Sequence, residues 1–186
     1  MPQTRTWRRL DLPSLEEFEE EQRTFRGRVT VQETPPWTVE YRILFDEGWV
    51  TRSAEADVTR AGTTRRLVLR REPHGRWFVA EREIDSCRGA LDVDLGVTPS
   101  TNTSAIRRLG LDVGASAELT AAWVRFPELS VEPLSQRYSR LDERTYLYES
   151  VRGGRVVFHA RLEVDPGGLV ERYERLFERV DGGAPG

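Results

Sequence analysis

Apolar and polar residues alternate with a period of two through most of the chain. Val39, Tyr41, Ile43 and Phe45 face one way, while Glu40 and Arg42 face the other. That spacing describes a strand with one buried face. The same pattern predicts strands over 7–12, 26–32, 49–59, 65–71 and 77–84, and later over 117–126, 130–141, 145–151 and 155–164. Turn residues punctuate them: Pro35-Pro36, Asp46-Glu47-Gly48, Ala61-Gly62-Thr63 and Pro73-His74-Gly75. From Leu119 to Phe126 both faces are apolar, which predicts a strand between two layers, a packed helix on one side and a cavity on the other. Two stretches break the rule. Ser14 and Glu17 form a capping box and Leu15 and Phe18 stand three apart, so 14–22 reads as a short acidic helix as readily as a strand. Val170, Tyr173, Leu176, Phe177 and Val180 show helical spacing.

The stretch from Cys87 to Phe126 concentrates the unusual residue types. Asp92 and Asp94 alternate with Leu91, Val93 and Leu95, which places both carboxylates on one strand face. Gly96 breaks the run, and a Thr/Ser/Asn-rich turn from Thr98 to Ser104 follows, rich in helix-capping side chains. A short helix is expected over 104–109, with Ile106 and Leu109 inward, Arg107 and Arg108 on its surface and Gly110 as its stop.

Strands at roughly ten-residue spacing predict a mainly β fold, an antiparallel β-barrel or half-barrel with a few short helices. At an offset of 97, Tyr41, Leu44 and Trp49 align with Tyr138, Leu141 and Tyr146. This reads either as two similar halves or as chance alignment of aromatic-rich strands. With 186 residues, one domain over 1–180 is expected, followed by a polar, Gly-rich disordered tail over 181–186.

Composition narrows the function classes. A net charge of -3 gives no electrostatic reason for nucleic-acid binding. One cysteine excludes an internal disulfide; a neighbouring arginine such as Arg88 can lower a thiol pKa, but a structural or incidental thiol is expected. Two histidines and one cysteine do not support a zinc site. There is no P-loop, dinucleotide fingerprint or nucleophile elbow, so no cofactor is expected. No apolar leader and no run of membrane-spanning length is visible, which reads as a soluble, cytoplasmic protein. The sequon Asn102-Thr103-Ser104 is discounted for the same reason. Nothing in the residues sets the oligomeric state.

Four segments carry a likeness: DVDLGVTPSTNTSAIRRL (Asp92 to Leu109), AAWVRFPEL (Ala121 to Leu129), Gln136-Arg137-Tyr138, and VDPGGLVERY (Val164 to Tyr173). On these the chain resembles the putative glycolipid-binding family of bacterial proteins. The resemblance favours a hairpin rather than a helix at 14–22. It implies an amphipathic, glycolipid-like ligand and a likeness to periplasmic lipid carriers.

Candidate ligand-binding residues follow. Arg107, Arg108, Asn102 and Arg125 are read as addressing a polar headgroup, since guanidinium grips anions at two points. Tyr41, Trp123 and Tyr138 belong to an aromatic set suited to sugar rings or acyl chains, or to ordinary core. Asp92 and Asp94 are read as a charged face paired with the two arginines, or as a cation or acid–base pair. No catalytic or metal-ligating residue is assigned. The expected function is non-catalytic carriage of an amphipathic ligand, its acyl part inside the barrel. The alternatives are an enzyme using Asp92 and Asp94 on a sugar or lipid, and an interaction module without a cavity.

Overall fold

The computed structural model describes residues 3–180. Strands β1 (Gln3–Arg9), β2 (Ser14–Glu21), β3 (Thr24–Val31), β4 (Trp37–Phe45), β5 (Thr51–Arg60), β6 (Thr63–Glu72), β7 (Arg76–Val79) and β8 (Arg82–Glu83) come first. Then come β9 (Asp92–Leu95), helix α1 (Ser100–Leu109), β10 (Ser116–Arg125), β11 (Ser130–Arg140), β12 (Thr145–Arg152), β13 (Arg155–Val164), β14 (Val170–Tyr173) and β15 (Phe177–Arg179). All fifteen strands form one sheet in the order β8-β7-β6-β5-β4-β3-β2-β1-β15-β14-β13-β12-β11-β10-β9. Every neighbouring pair is antiparallel except β9 and β10, which α1 joins as a parallel crossover. The protein is mainly β and the sheet is not closed. It curls until the β9 edge reaches β5, where Thr51 donates its N–H to Leu91 O and its Oγ1 accepts from Val93 N. The meanders β3–β6 and β10–β13 run in the same order across the sheet.

The hairpin is the outcome at 14–22. Ser14, Glu16 and Phe18 point inward and Glu17, Glu19 and Glu21 outward, in register with β1 and β3. Period two overrides the capping-box spacing because each strand neighbour supplies a ladder. The helix expected near the end of the described chain is instead two strands. β14 and β15 turn at 174–176 and slot between β13 and β1, with Tyr173 and Phe177 facing each other. Sheet completion outweighs the 3.6-residue periodicity there. The tail expected over 181–186 lies outside the described residues.

Helix α1 starts at Ser100, four residues before the expected start. Pro99 is its N-cap and makes no side-chain cap bond. The hydroxyl and amide residues read as caps form the helix body instead, and Ser100 through Ile106 are all buried. Gly110 does stop the helix, in the left-handed region at φ 54, with its N–H on Ile106 O.

Two cores flank this helix. The larger one centres on Trp7, Phe18, Phe25, Trp37, Ile43, Leu69 and Trp77, and the smaller on Ile106, Tyr138, Tyr148, Leu162, Tyr173 and Phe177. The aromatic rings are largely packed against one another, as in the chain Trp7, Phe18, Phe25 and Phe45 with centroids 4.9–5.1 Å apart. Trp7, Phe18, Phe25 and Trp77 are fully buried, so side chains fill this part of the interior. The described residues contain no helix long and apolar enough to cross a membrane.

Candidate functional site

The polar body of α1 makes sense only through what it touches. Helix side chains buried against a sheet need partners, because an unmade bond costs the full desolvation of the group. The sheet supplies them. Thr101 Oγ1 accepts from Leu95 N and Thr103 Oγ1 from Val170 N. Tyr41 and Tyr138, one from each meander, both bring their hydroxyls to the first turn of the helix. Tyr41 Oη lies 3.0 Å from Ser100 Oγ, and Asn102 Nδ2 donates to Tyr138 Oη at 2.9 Å.

Tyr41 also donates to Glu16 Oε1 at 2.5 Å, and Thr98 Oγ1 donates to the same oxygen at 2.7 Å. Glu16 Oε2 is buried without a partner among the described residues. Burial dominates here and pushes the Glu16 carboxyl up to about 8, against the pull of the two hydroxyls. The Tyr41 phenol is pushed well above its ordinary value, first by burial and then by Glu16.

The arginines of α1 are engaged. Arg108 grips Asp92 with two bonds, Nε–Oδ1 at 2.8 Å and Nη2–Oδ2 at 2.7 Å. Burial still holds the Asp92 carboxyl above its ordinary value. Arg107 binds both Glu20 oxygens and Gly167 O, and its guanidinium lies 4.5 Å from the Trp49 ring. Both pairs fasten α1 to the sheet.

Asp94 is placed differently from Asp92. It accepts from Gln136 Nε2 at 2.6 Å, and from Thr101 Oγ1 at 3.4 Å. A chain of bonds holds it in position: Asn102 to Tyr138, Tyr138 to Gln136, Gln136 to Asp94. Burial raises the Asp94 carboxyl to about 6, the Gln136 and Thr101 bonds pulling the other way. It lines a cleft of about 290 Å³ between α1, β9 and the β10–β15 part of the sheet. Asn102, Trp123, Tyr148, Tyr173, Phe158 and Phe177 line it too, with Arg9 and Arg152 beside them. Tyr148 and Tyr173 are buried residues, and their hydroxyls have no hydrogen-bond partner among the described residues. Gly96 is a condition for this wall: a Cβ there would come within 2.9 Å of Trp123 Nε1.

Of the residues singled out by sequence, the cleft gathers Asp94, Asn102 and Trp123. Tyr138 stands one bond behind it. Arg125 stacks on Trp123 at 5.5 Å from the ring centroid and does not line the cleft. Arg107, Arg108, Asp92 and Tyr41 do not line it either. Sequence reasoning missed Tyr148, Tyr173, Arg152, Gln136 and Glu16. For Glu16 the signal was parity: it shares the face of Ser14 and Phe18 within an acidic run. Cys87 is buried and its thiol is raised by burial.

A protein-family profile described as "Putative glycolipid-binding" matches residues 4–179. Among solved structures, the chain is similar to a DUF1089 family protein from Pseudomonas aeruginosa, with 34% identity and a TM-score of 0.83. That match covers 90% of this chain and 92% of the other. No curated protein matches the chain.

Proposed function

The chain belongs to the putative glycolipid-binding family, and from that premise we propose that the Asp94 cleft binds the sugar headgroup of an amphipathic ligand without chemical change. The observation that carries this reading is the lining of the cleft. It combines ring faces with polar groups whose bonding capacity is unused. Tyr148 and Tyr173 offer hydroxyls with no protein partner, and Asp94 offers a carboxylate held in place by Gln136. These hydroxyls face the open cleft, and a polyhydroxylated ring supplies both donors and acceptors to them. Trp123, Phe158 and Phe177 supply apolar faces to the ring's C–H side. A volume of about 290 Å³ lies at the small end of ligand sites, the size of a headgroup and not of paired acyl chains.

Asp92 and Asp94 do not work as an acid–base pair in this reading. Asp92 is closed off by Arg108, and Asp94 alone faces the cleft.

The test is solvent extraction of the purified protein and mass spectrometry of what it carries, beside calorimetry with methyl glycosides. Wild type is expected to bind a glycoside, and Asp94→Asn and Trp123→Ala, each still cooperatively folded, are expected to weaken it about tenfold or more. Failure of every glycoside to bind, with no lipid in the extract, overturns the reading.

A further inference from the structure

The cleft opens at one end of the sheet, and that end has its own chemistry. The turns β1–β2, β10–β11, β12–β13 and β14–β15 all lie there, as the antiparallel order requires. Val156 and Val157, at the start of β13, are 45% and 56% exposed, and Leu10 in the β1–β2 turn is 46% exposed. A register shift after Ser150 leaves Val157 without an opposite residue, and Val157 itself lines the cleft. The turn between β12 and β13 is Gly153-Gly154, both at positive φ, flanked by Arg152 and Arg155. Arg152 and Arg125 both stack on Trp123 at 5.5 Å. Arg125 and Arg155 make no ion pair with the described residues, Arg152 lies 3.4 Å from Glu132, and the acids of the neighbouring turns are held by Arg9 (Asp11) and by Arg161 N (Glu174). The lip of the cleft therefore combines exposed aliphatic side chains with three arginines, on a chain whose net charge is -3.

We propose that this lip, the β12–β13 turn with Val156, Val157, Arg125, Arg152 and Arg155, docks on an anionic lipid bilayer. Aliphatic side chains enter the headgroup boundary while arginines remain at its charged level. Each arginine near an anionic surface contributes roughly 1 kcal/mol, a factor of about five in affinity. Docking this end brings the mouth of the cleft against the surface where an amphiphile's headgroup sits. The proposal rests on the headgroup reading for its purpose, but its test is independent of that reading.

The experiment is vesicle flotation at low ionic strength with phosphatidylcholine vesicles, with and without phosphatidylglycerol and free of glycolipid. Wild type is expected on the anionic vesicles and not on pure phosphatidylcholine. The pair Arg155→Glu with Val156→Asp, both surface positions outside the cleft lining, is expected to bind roughly tenfold more weakly or worse. Asp94→Asn is expected to float as wild type does, and the lip pair to bind methyl glycoside as wild type does. Absence of wild-type flotation, or flotation unchanged in the lip pair, overturns the docking while leaving glycoside binding to decide the headgroup reading. A native mass of two chains that falls to one in the lip pair also overturns it, and assigns the lip to a second copy.

Discussion

Glu16 carries a pH signal that falls between pH 4.5 and about 8. Its folded pKa, about 8, is above its unfolded value near 4.5 because burial disfavours the charge. The native state therefore holds a proton that the unfolded state has released between these values. Stability falls with rising pH through that window, at up to about 1.4 kcal/mol per pH unit, and levels off above it. Glu16→Gln keeps the shape and removes the titration. We expect denaturant unfolding of the variant to lose most of this slope and to show higher stability than wild type above pH 8. A wild-type profile flat from pH 5 to 8 would mean that water reaches the carboxylate. Asp94 gives a second residue-scale prediction, for binding. A ligand hydroxyl donating to its carboxylate stabilises the charged form, so affinity is present above about pH 6 and declines as pH falls through that value. Calorimetry with a methyl glycoside across pH 5–8 measures this, and Asp94→Asn should flatten the profile. Arg108 is tested by removal. Its loss leaves Asp92 buried without its bonded counter-charge, and Arg108→Ala should cost roughly 3–5 kcal/mol in unfolding free energy.

Elements show which parts of this design period and composition reveal. β4 is legible because Val39, Tyr41, Ile43 and Phe45 alternate cleanly, and the long strands β5, β6 and β10 to β13 follow the same rule within a residue or two at most ends. Trp49, expected to open a strand, stands in the preceding turn at φ 66 instead. β14 and β15 were not legible, since four and three residues are too few for a period to emerge and Tyr173 and Phe177 happen to sit four apart. Helix α1 was seen in part: the Asp92-to-Leu109 stretch marked its place, but its hydroxyls read as caps because burial of seven consecutive residues depends on partners far along the chain. The cleft was visible in Asp94, Asn102 and Trp123. Tyr148 and Tyr173 were hidden because only pairing across β11 to β15 brings them to it. One close approach tests how tightly the elements are fitted. Gly27 lies opposite Tyr41 in the β3–β4 register, and a Cβ there would come within 2.4 Å of the Tyr41 ring. Gly27→Ala must push the ring off Glu16. We expect a loss of roughly 1–3 kcal/mol in denaturant unfolding, and a smaller loss in a Tyr41→Phe background, where no bond to Glu16 is left to break.

At the scale of the whole molecule, a curled sheet with an open edge offers room for a ligand, and the chain spends most of that room on itself. Helix α1 occupies the concavity, its arginines fasten it to Glu20 and Asp92, and aromatic rings fill the space on either side. Among the described residues, a cleft at one end has a polar floor and an apolar, arginine-bearing lip. This division separates two ways of handling an amphiphile. A carrier that swallows acyl chains gains about 0.8 kcal/mol for each methylene buried, close to fourfold in affinity per carbon. A protein that holds the headgroup and leaves the chain in the bilayer gains little after the first carbons, which reach only the lip at Val157 and Phe158. A series of alkyl glycosides from methyl to dodecyl, titrated below their micelle concentrations, distinguishes the two. We expect affinity to rise over the shortest chains and then level off. A steady rise through dodecyl would require the packed interior around Tyr148, Phe158 and Tyr173 to open, and would make the molecule an acyl carrier whose cavity forms only with its ligand.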